Sequence, residues 1–151
     1  MCGGRLESLA ERREVKVGNR SARVMDQFSR CAACAEEFYA PGQMDAALRL
    51  ASDVIRRDEG LLLPEQIRQL REGLGLSQRA FERLLGVGPK TVVRWEKGSV
   101  FQNRATDSLL RVVAGFPQVA AFLAELHGVE MPQESARGMA RAARGASGDP
   151  S

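Results

Sequence analysis

Between Pro64 and Leu126, glycines and prolines cut the chain into five short stretches, each with apolar residues at helical spacing. That punctuation leaves little room for anything but a compact helical domain. The first stretch, Pro64 to about Glu72, turns Ile67, Leu70 and Leu74 inward, with Gly73 or Gly75 to close it. Ser77 is a good N-cap for the second, residues 78–85, whose apolar stripe is Ala80, Phe81, Leu84 and Leu85. Gly86-Val87-Gly88 is too short for anything but a turn between adjoining helices. The third helix starts at Pro89 or Lys90 and closes on Gly98. A fourth covers about 105–114 and a fifth 117–126, where Phe122 and Leu126 are apolar.

The preceding residues follow other periods. Residues 12–30 predict a β-hairpin: Val15 and Val17 alternate with Glu14 and Lys16, Gly18-Asn19 turns, and Ala22, Val24 and Phe28 line the return. Cys31-Ala32-Ala33-Cys34 follows at once. From Pro41, which suits a first turn, Met44, Ala47, Leu48, Ala51, Val54 and Ile55 recur at helical spacing up to about Gly60. Gly60 and Pro64 bracket a linker, and beyond Pro132 the composition of Ala, Arg, Gly and Ser predicts a disordered tail. The expected layout is mainly α: a hairpin module over 1–40, a connecting helix and linker over 41–63, a five-helix domain over 64–130 and a tail over 131–151.

With 44% apolar and 27% charged residues among 151, wholesale disorder is excluded. The net charge of +3 becomes informative only when divided along the chain. Residues 1–63 hold ten basic and ten acidic side chains, residues 64–115 nine against five, and residues 116–151 three against four. All of the excess therefore sits in the helical domain. A single His excludes any scheme that needs two imidazoles, and three cysteines exclude a fully paired internal disulfide framework. No run approaches the roughly 18 to 20 apolar residues of a membrane span, and the charged start lacks the apolar core of a signal peptide. A cytoplasmic protein is expected, where cysteines more often bind metal than cross-link. No nucleophile elbow, phosphate loop or paired carboxylate accompanies the Ser, His and Asp residues, which argues against an enzyme.

Two short helices joined by a glycine turn, in the basic part of the chain, have the makings of a helix-turn-helix. Such a pair needs a second helix that is polar where its N-terminal end enters the major groove. Lys90, Thr91 and Arg94 meet that need, and Lys90 and Arg94 are four apart on one face. Arg94 offers the fork that suits guanine. Gln78 lies where a side chain and helix N-terminal amides meet a phosphate, and Arg79 and Lys97 are further phosphate candidates. A solvated face on an ordinary bundle is the plain alternative. Leu74-Gly75-Leu76-Ser77-Gln78, then Ala80-Phe81, Leu85-Gly86-Val87 and Val93-Arg94-Trp95-Glu96-Lys97-Gly98 resemble the Cro/repressor (Xre-type) helix-turn-helix over about 64–115. The resemblance implies that Gln78 contacts phosphate, that the third helix reads bases and that Trp95 packs. Pro89, at the opening of that helix, departs from the pattern.

Cys31 and Cys34 form one C-x-x-C knuckle beside a hairpin, as zinc ribbons require, and Cys2 is the third thiol. Tetrahedral zinc takes four ligands. A Cys-Gly-Gly start, a hairpin, C-x-x-C, a helix and an Xre-type domain together resemble the MqsA-type antitoxin family. That resemblance implies a zinc-ribbon-like N-terminal module that binds an mRNA-cleaving toxin, and a C-terminal domain that dimerises and represses its own operon. Family members begin Cys-Pro-x-Cys-Gly-Gly, so Met1 falls on the x and the first cysteine is expected two positions upstream, in a reading frame that starts earlier. With Cys2, Cys31 and Cys34 alone, water, a carboxylate such as Glu36 or the terminal amine would complete the zinc site.

The resulting expectation is a homodimeric repressor that binds double-stranded DNA at a palindromic operator and neutralises a cognate toxin. Dimer contacts are expected from Leu109, Leu110, Val113, Phe116 and Phe122. The rival is a stand-alone Xre-type regulator whose C-x-x-C responds to metal or oxidation. His127 reads as a cap or surface residue, Phe38 and Tyr39 as cover for the small module's core, and Arg12-Arg13 and Arg56-Arg57 as solvated faces.

Overall fold

The computed structural model describes residues 2–132, so the tail expected over 131–151 lies outside them apart from Met131 and Pro132. The described chain divides into two compact units that part between Gly60 and Leu61.

The first unit is an antiparallel sheet with one helix. Strands β1 (Leu6–Val17) and β2 (Arg20–Cys31) form the hairpin, and the short β3 (Glu37–Phe38) pairs with β2 on its other side. The turn forms at Gly18-Asn19, where Gly18 takes φ +62 and Val17 pairs Arg20. The hairpin is longer than the expected 12–30, because β1 begins at Leu6 and pairs with β2 as far as Cys31. Leu6, Leu9 and Ala10 do not alternate strictly, so their period of two is hidden in the sequence. On one face Ala22, Val24, Asp26 and Phe28 are buried, and helix α1 (Gln43–Asp58) packs against β2. Its inward residues are Ala47, Ala51, Ser52, Ile55 and Arg56. Two expectations are corrected here. Met44, at the second position of α1, is 51% exposed rather than part of the helix's inward stripe. Arg56, expected on a solvated face, is 1% exposed with Asp53 Oδ1 3.5 Å from its Nη1, and burial lowers its pKa.

The second unit is helical: α2 (Pro64–Gly73), α3 (Gln78–Leu85), α4 (Thr91–Lys97), α5 (Arg104–Gly115) and α6 (Pro117–His127). With α1 the described residues hold six helices, five of them in this second unit. Local chemistry sets most of their ends. Ser77 Oγ accepts from Ala80 N–H at 3.1 Å, and Asn103 Oδ1 accepts from Thr106 N–H at 2.8 Å. Gly86 closes α3 at φ +70, a left-handed position that costs a side-chain-bearing residue energy. Ile67, Phe81, Leu84, Val92, Trp95, Leu110 and Val113 form the heart of the core. Leu110 and Val113 therefore cannot offer the dimer surface expected of them, whereas Phe116 and Phe122 are exposed. His127 ties α6 to α3, its Nδ1 lying 2.9 Å from the Leu84 carbonyl oxygen. No single helix among the described residues is long and apolar enough to cross a membrane.

Candidate metal centre and nucleic-acid interface

The hairpin register brings the three cysteines together. Leu6 opposite Cys31 sets the start of the chain beside the end of β2, and the Arg5 carbonyl accepts from Ala32 N–H at 2.9 Å. Gly4 is required for that approach, since a Cβ there would lie 2.5 Å from Cys31 Sγ and 2.7 Å from Ala33 Cβ. The knuckle then folds back on itself: Ala35 N–H donates to the Cys31 carbonyl and Cys31 N–H to the Glu36 carbonyl, both at 2.9 Å.

Cys2 Sγ lies 3.2 Å from Cys31 Sγ and 3.4 Å from Cys34 Sγ, so none of these contacts is a disulfide. All three sulfurs fall within 4.8 Å of one another, close enough to hold a metal ion. They line one wall of an open hollow of about 440 Å³ that Leu6, Glu36 and Phe38 complete. The Cys34 N–H, then the Cys2 thiol and the Ala33 N–H, lower the Cys31 pKa to about 7, which favours the thiolate a metal needs. At Cys34 the Glu36 N–H lowers the pKa, but the Cys2 and Cys31 thiols and burial together raise it. Tetrahedral zinc with bonds of about 2.3 Å sets sulfurs about 3.8 Å apart. The two Cys2 contacts, at 3.2 and 3.4 Å, fall short of that by about half an ångström, and three thiol donors suit that ion.

Phe38 and Tyr39, expected as cover, are 39% and 38% exposed, and Tyr39 works instead as a donor to the buried Asp26 Oδ2 at 2.6 Å. Arg13 is half-buried rather than solvated. Its guanidinium stands 3.5 Å over the Phe28 ring and meets Glu37 at 2.9 Å.

In the second unit, Arg79, Lys90, Arg94 and Lys97 are exposed and Thr91 is half-buried. These four basic side chains make no ion pair among the described residues, unlike Arg71 and Arg111 nearby. Helix α4 begins at Thr91, not at Pro89 or Lys90, because Lys90 takes a left-handed conformation with φ +63. The expected spacing survives, since Arg94 N–H donates to the Lys90 carbonyl at 3.2 Å and the two stand one turn apart. A non-glycine residue held at that φ is strained, and strain of this kind gathers at working sites.

Gln78 is half-buried, and its Nε2 donates to Glu96 Oε2 at 2.8 Å, a commitment its position in the sequence did not announce. Glu96 in turn accepts from Arg71 Nε at 2.6 Å and Nη2 at 3.2 Å. Burial alone would raise the Glu96 pKa, but the Arg71 and Gln78 hydrogen bonds outweigh it and hold the carboxyl below its ordinary value. Glu82, also buried, accepts from Val92 N–H at 3.1 Å and so caps the first turn of α4 from α3. Together these contacts brace α4 against α2 and α3. Sequence reasoning missed Arg71, Glu82 and Glu96 as partners because each pair is separated by 10 to 25 positions with no shared period.

Against known proteins, residues 2–126 match the family described as the antitoxin component of bacterial toxin-antitoxin system, MqsA. Antitoxin HigA-2 of Vibrio cholerae serotype O1 (strain ATCC 39315 / El Tor Inaba N16961) is 33% identical over 63 residues, 42% of this chain and 61% of that protein. The chain thus spans about three-fifths of the length of the curated relative it matches.

Proposed function

The chain belongs to the MqsA antitoxin family, and from that premise we propose that it is the antitoxin of a type II toxin-antitoxin system that also represses its own operon. The observation that carries the DNA-binding half is the braced pair α3–α4, which presents Arg79, Lys90, Arg94 and Lys97 outward from a helix start held by Glu82. In this reading Lys90, Thr91 and Arg94 meet base edges in the major groove, while Gln78, Arg79 and Lys97 meet phosphates. A symmetric dimer sets two copies of α4 about 34 Å apart on a palindromic operator. The toxin is bound by the first unit. A zinc ion held by Cys2, Cys31 and Cys34 would supply a cross-link between the chain start and the knuckle. The chain's own part is to place the three sulfurs and direct the amides of Ala33, Cys34 and Glu36 onto them.

Arg94→Ala tests the operator contact. It should lose about 1–3 kcal/mol of preference for the operator over scrambled DNA in a competition gel shift, with the circular dichroism of the fold unchanged. Unaltered discrimination would remove Arg94 from the reading surface. The toxin half is tested by whether the full chain restores growth to cells expressing the product of the adjoining gene.

One observation favours a second reading, a stand-alone regulator that responds to metal or oxidation: the Cys2 and Cys31 sulfurs are already 3.2 Å apart. In that case peroxide or zinc removal should change operator affinity, whereas a purely structural ion should leave the affinity of the helical unit as it was.

A further inference from the structure

We propose that Glu96, backed by Arg71, is a positioning residue that fixes the Gln78 amide so that it always offers a donor to a DNA phosphate, an inference that rests on the DNA-binding reading above. Gln78 opens α3, next to the exposed Arg79, where the unpaired amides of a helix start favour anions. A side-chain amide at such a place has two faces of opposite character: its NH2 attracts a phosphate and its carbonyl oxygen repels one. Left alone, it presents either.

Here the choice is made by chemistry. An ionised carboxylate only accepts, so the Gln78 amide must turn its NH2 toward Glu96, which it meets at 2.8 Å. One of the two amide hydrogens is used there, and the other is left for a second acceptor. Glu96 is itself immobile, with its side chain 1% exposed and two hydrogen bonds from Arg71. Arg71 is anchored in turn by Nη1 donating to the Leu76 carbonyl at 2.9 Å. The Arg71 charge also cancels that of Glu96, which would otherwise repel the phosphate that Gln78 is to bind. Because Glu96 belongs to α4, its carboxylate links the phosphate contact on α3 to the base-reading helix.

The test is a double-mutant cycle on operator affinity in the full chain, with thermal unfolding recorded for every variant. Gln78→Ala and Glu96→Gln should each weaken operator binding about tenfold, and the double variant should bind no worse than the weaker single one. Gln78→Ala should leave the melting temperature close to that of the parent. Losses that multiply in the double variant would overturn the proposal, as would a Gln78→Ala protein with full affinity. Should Glu96→Gln fail to fold, nitrogen-resolved NMR of the unaltered protein decides. One Gln78 amide proton should be shifted downfield before DNA is added, and the other should move when operator is added but not in its absence. Two Gln78 protons that stay put on operator binding would overturn it. If the unaltered protein binds no upstream DNA at all, the DNA-binding reading itself fails, and this inference with it.

Discussion

The two units solve the problem of being small in different ways. From Leu61 onward, large apolar side chains such as Ile67, Phe81, Leu84, Trp95 and Leu110 are fully or almost fully buried. The buried carboxylates Glu82, Glu96 and Asp107 each accept a hydrogen bond, although Gln102 Oε1 has no partner among the described residues. Up to Gly60, the interior between sheet and helix is mostly small: Ala22, Val24, Ala47, Ala51 and Ile55 around the single ring of Phe28. That interior also contains Arg56 and Asp26 Oδ1, the latter with no hydrogen-bond partner among the described residues. Buried polar groups of this kind cost free energy where apolar ones would contribute it. The helical unit can stand on its core, whereas the sheet unit has reason to use a metal cross-link, and its three converging sulfurs offer one.

The sharpest way to break that contrast is to take the metal away. Structural zinc contributes about 10–16 kcal/mol in small zinc-finger peptides at neutral pH. Chelation of the zinc-loaded protein should therefore abolish amide exchange protection across β1 and β2 while α2 to α5 keep theirs. Protection retained in both strands would show that the sheet unit needs no ion. The reverse experiment empties the other core. Phe81→Ala should destabilise the helical unit by about 3–5 kcal/mol, read by urea unfolding of its helices, and leave exchange in β1 and β2 unchanged. A loss in both units at once would mean that they fold as one.

A subtler contrast separates stability from recognition within the helical unit. Lys90→Gly relieves a left-handed residue and should raise stability by up to about 1 kcal/mol, yet weaken operator binding. If affinity and stability rise together, the Lys90 side chain does not touch DNA. The smallest effect is expected at Lys97. Its replacement by Ala should weaken binding to all sequences alike and lower the slope of log affinity against log salt by about one, with a selective loss on operator DNA counting against a phosphate role.

Local signals identified the elements well. The Gly18-Asn19 turn, the Ser77 cap, Pro64 and Pro117 at helix starts and Gly86 and Gly98 at helix ends all act through the conformation of a residue or its nearest neighbours. They are legible because the interaction spans only a few positions. The start of α4 was misplaced by one or two residues because Lys90, not a glycine, took the left-handed position. The burial of Arg56 and the Gln78–Glu96 hydrogen bond escaped the sequence for a different reason. Their surroundings come from segments far away in the sequence, where neither periodicity nor composition leaves a trace.

By itself, then, the order of residues determined a hairpin, a C-x-x-C, a run of capped helices and an excess of positive charge between residues 64 and 115. It did so because backbone preference and hydrophobic period are short-range properties. Only the folded chain decided which charges are available. Arg71 is consumed by Glu96 and Arg111 bonds to Asp107, whereas Arg79, Lys90, Arg94 and Lys97 are left to solvent. The folded chain also decided that Cys2 reaches Cys31 and Cys34, through a strand register that runs the full length of the hairpin. Pairing across long loops depends on which partners packing brings within a few ångströms, and that is a property of the tertiary structure alone.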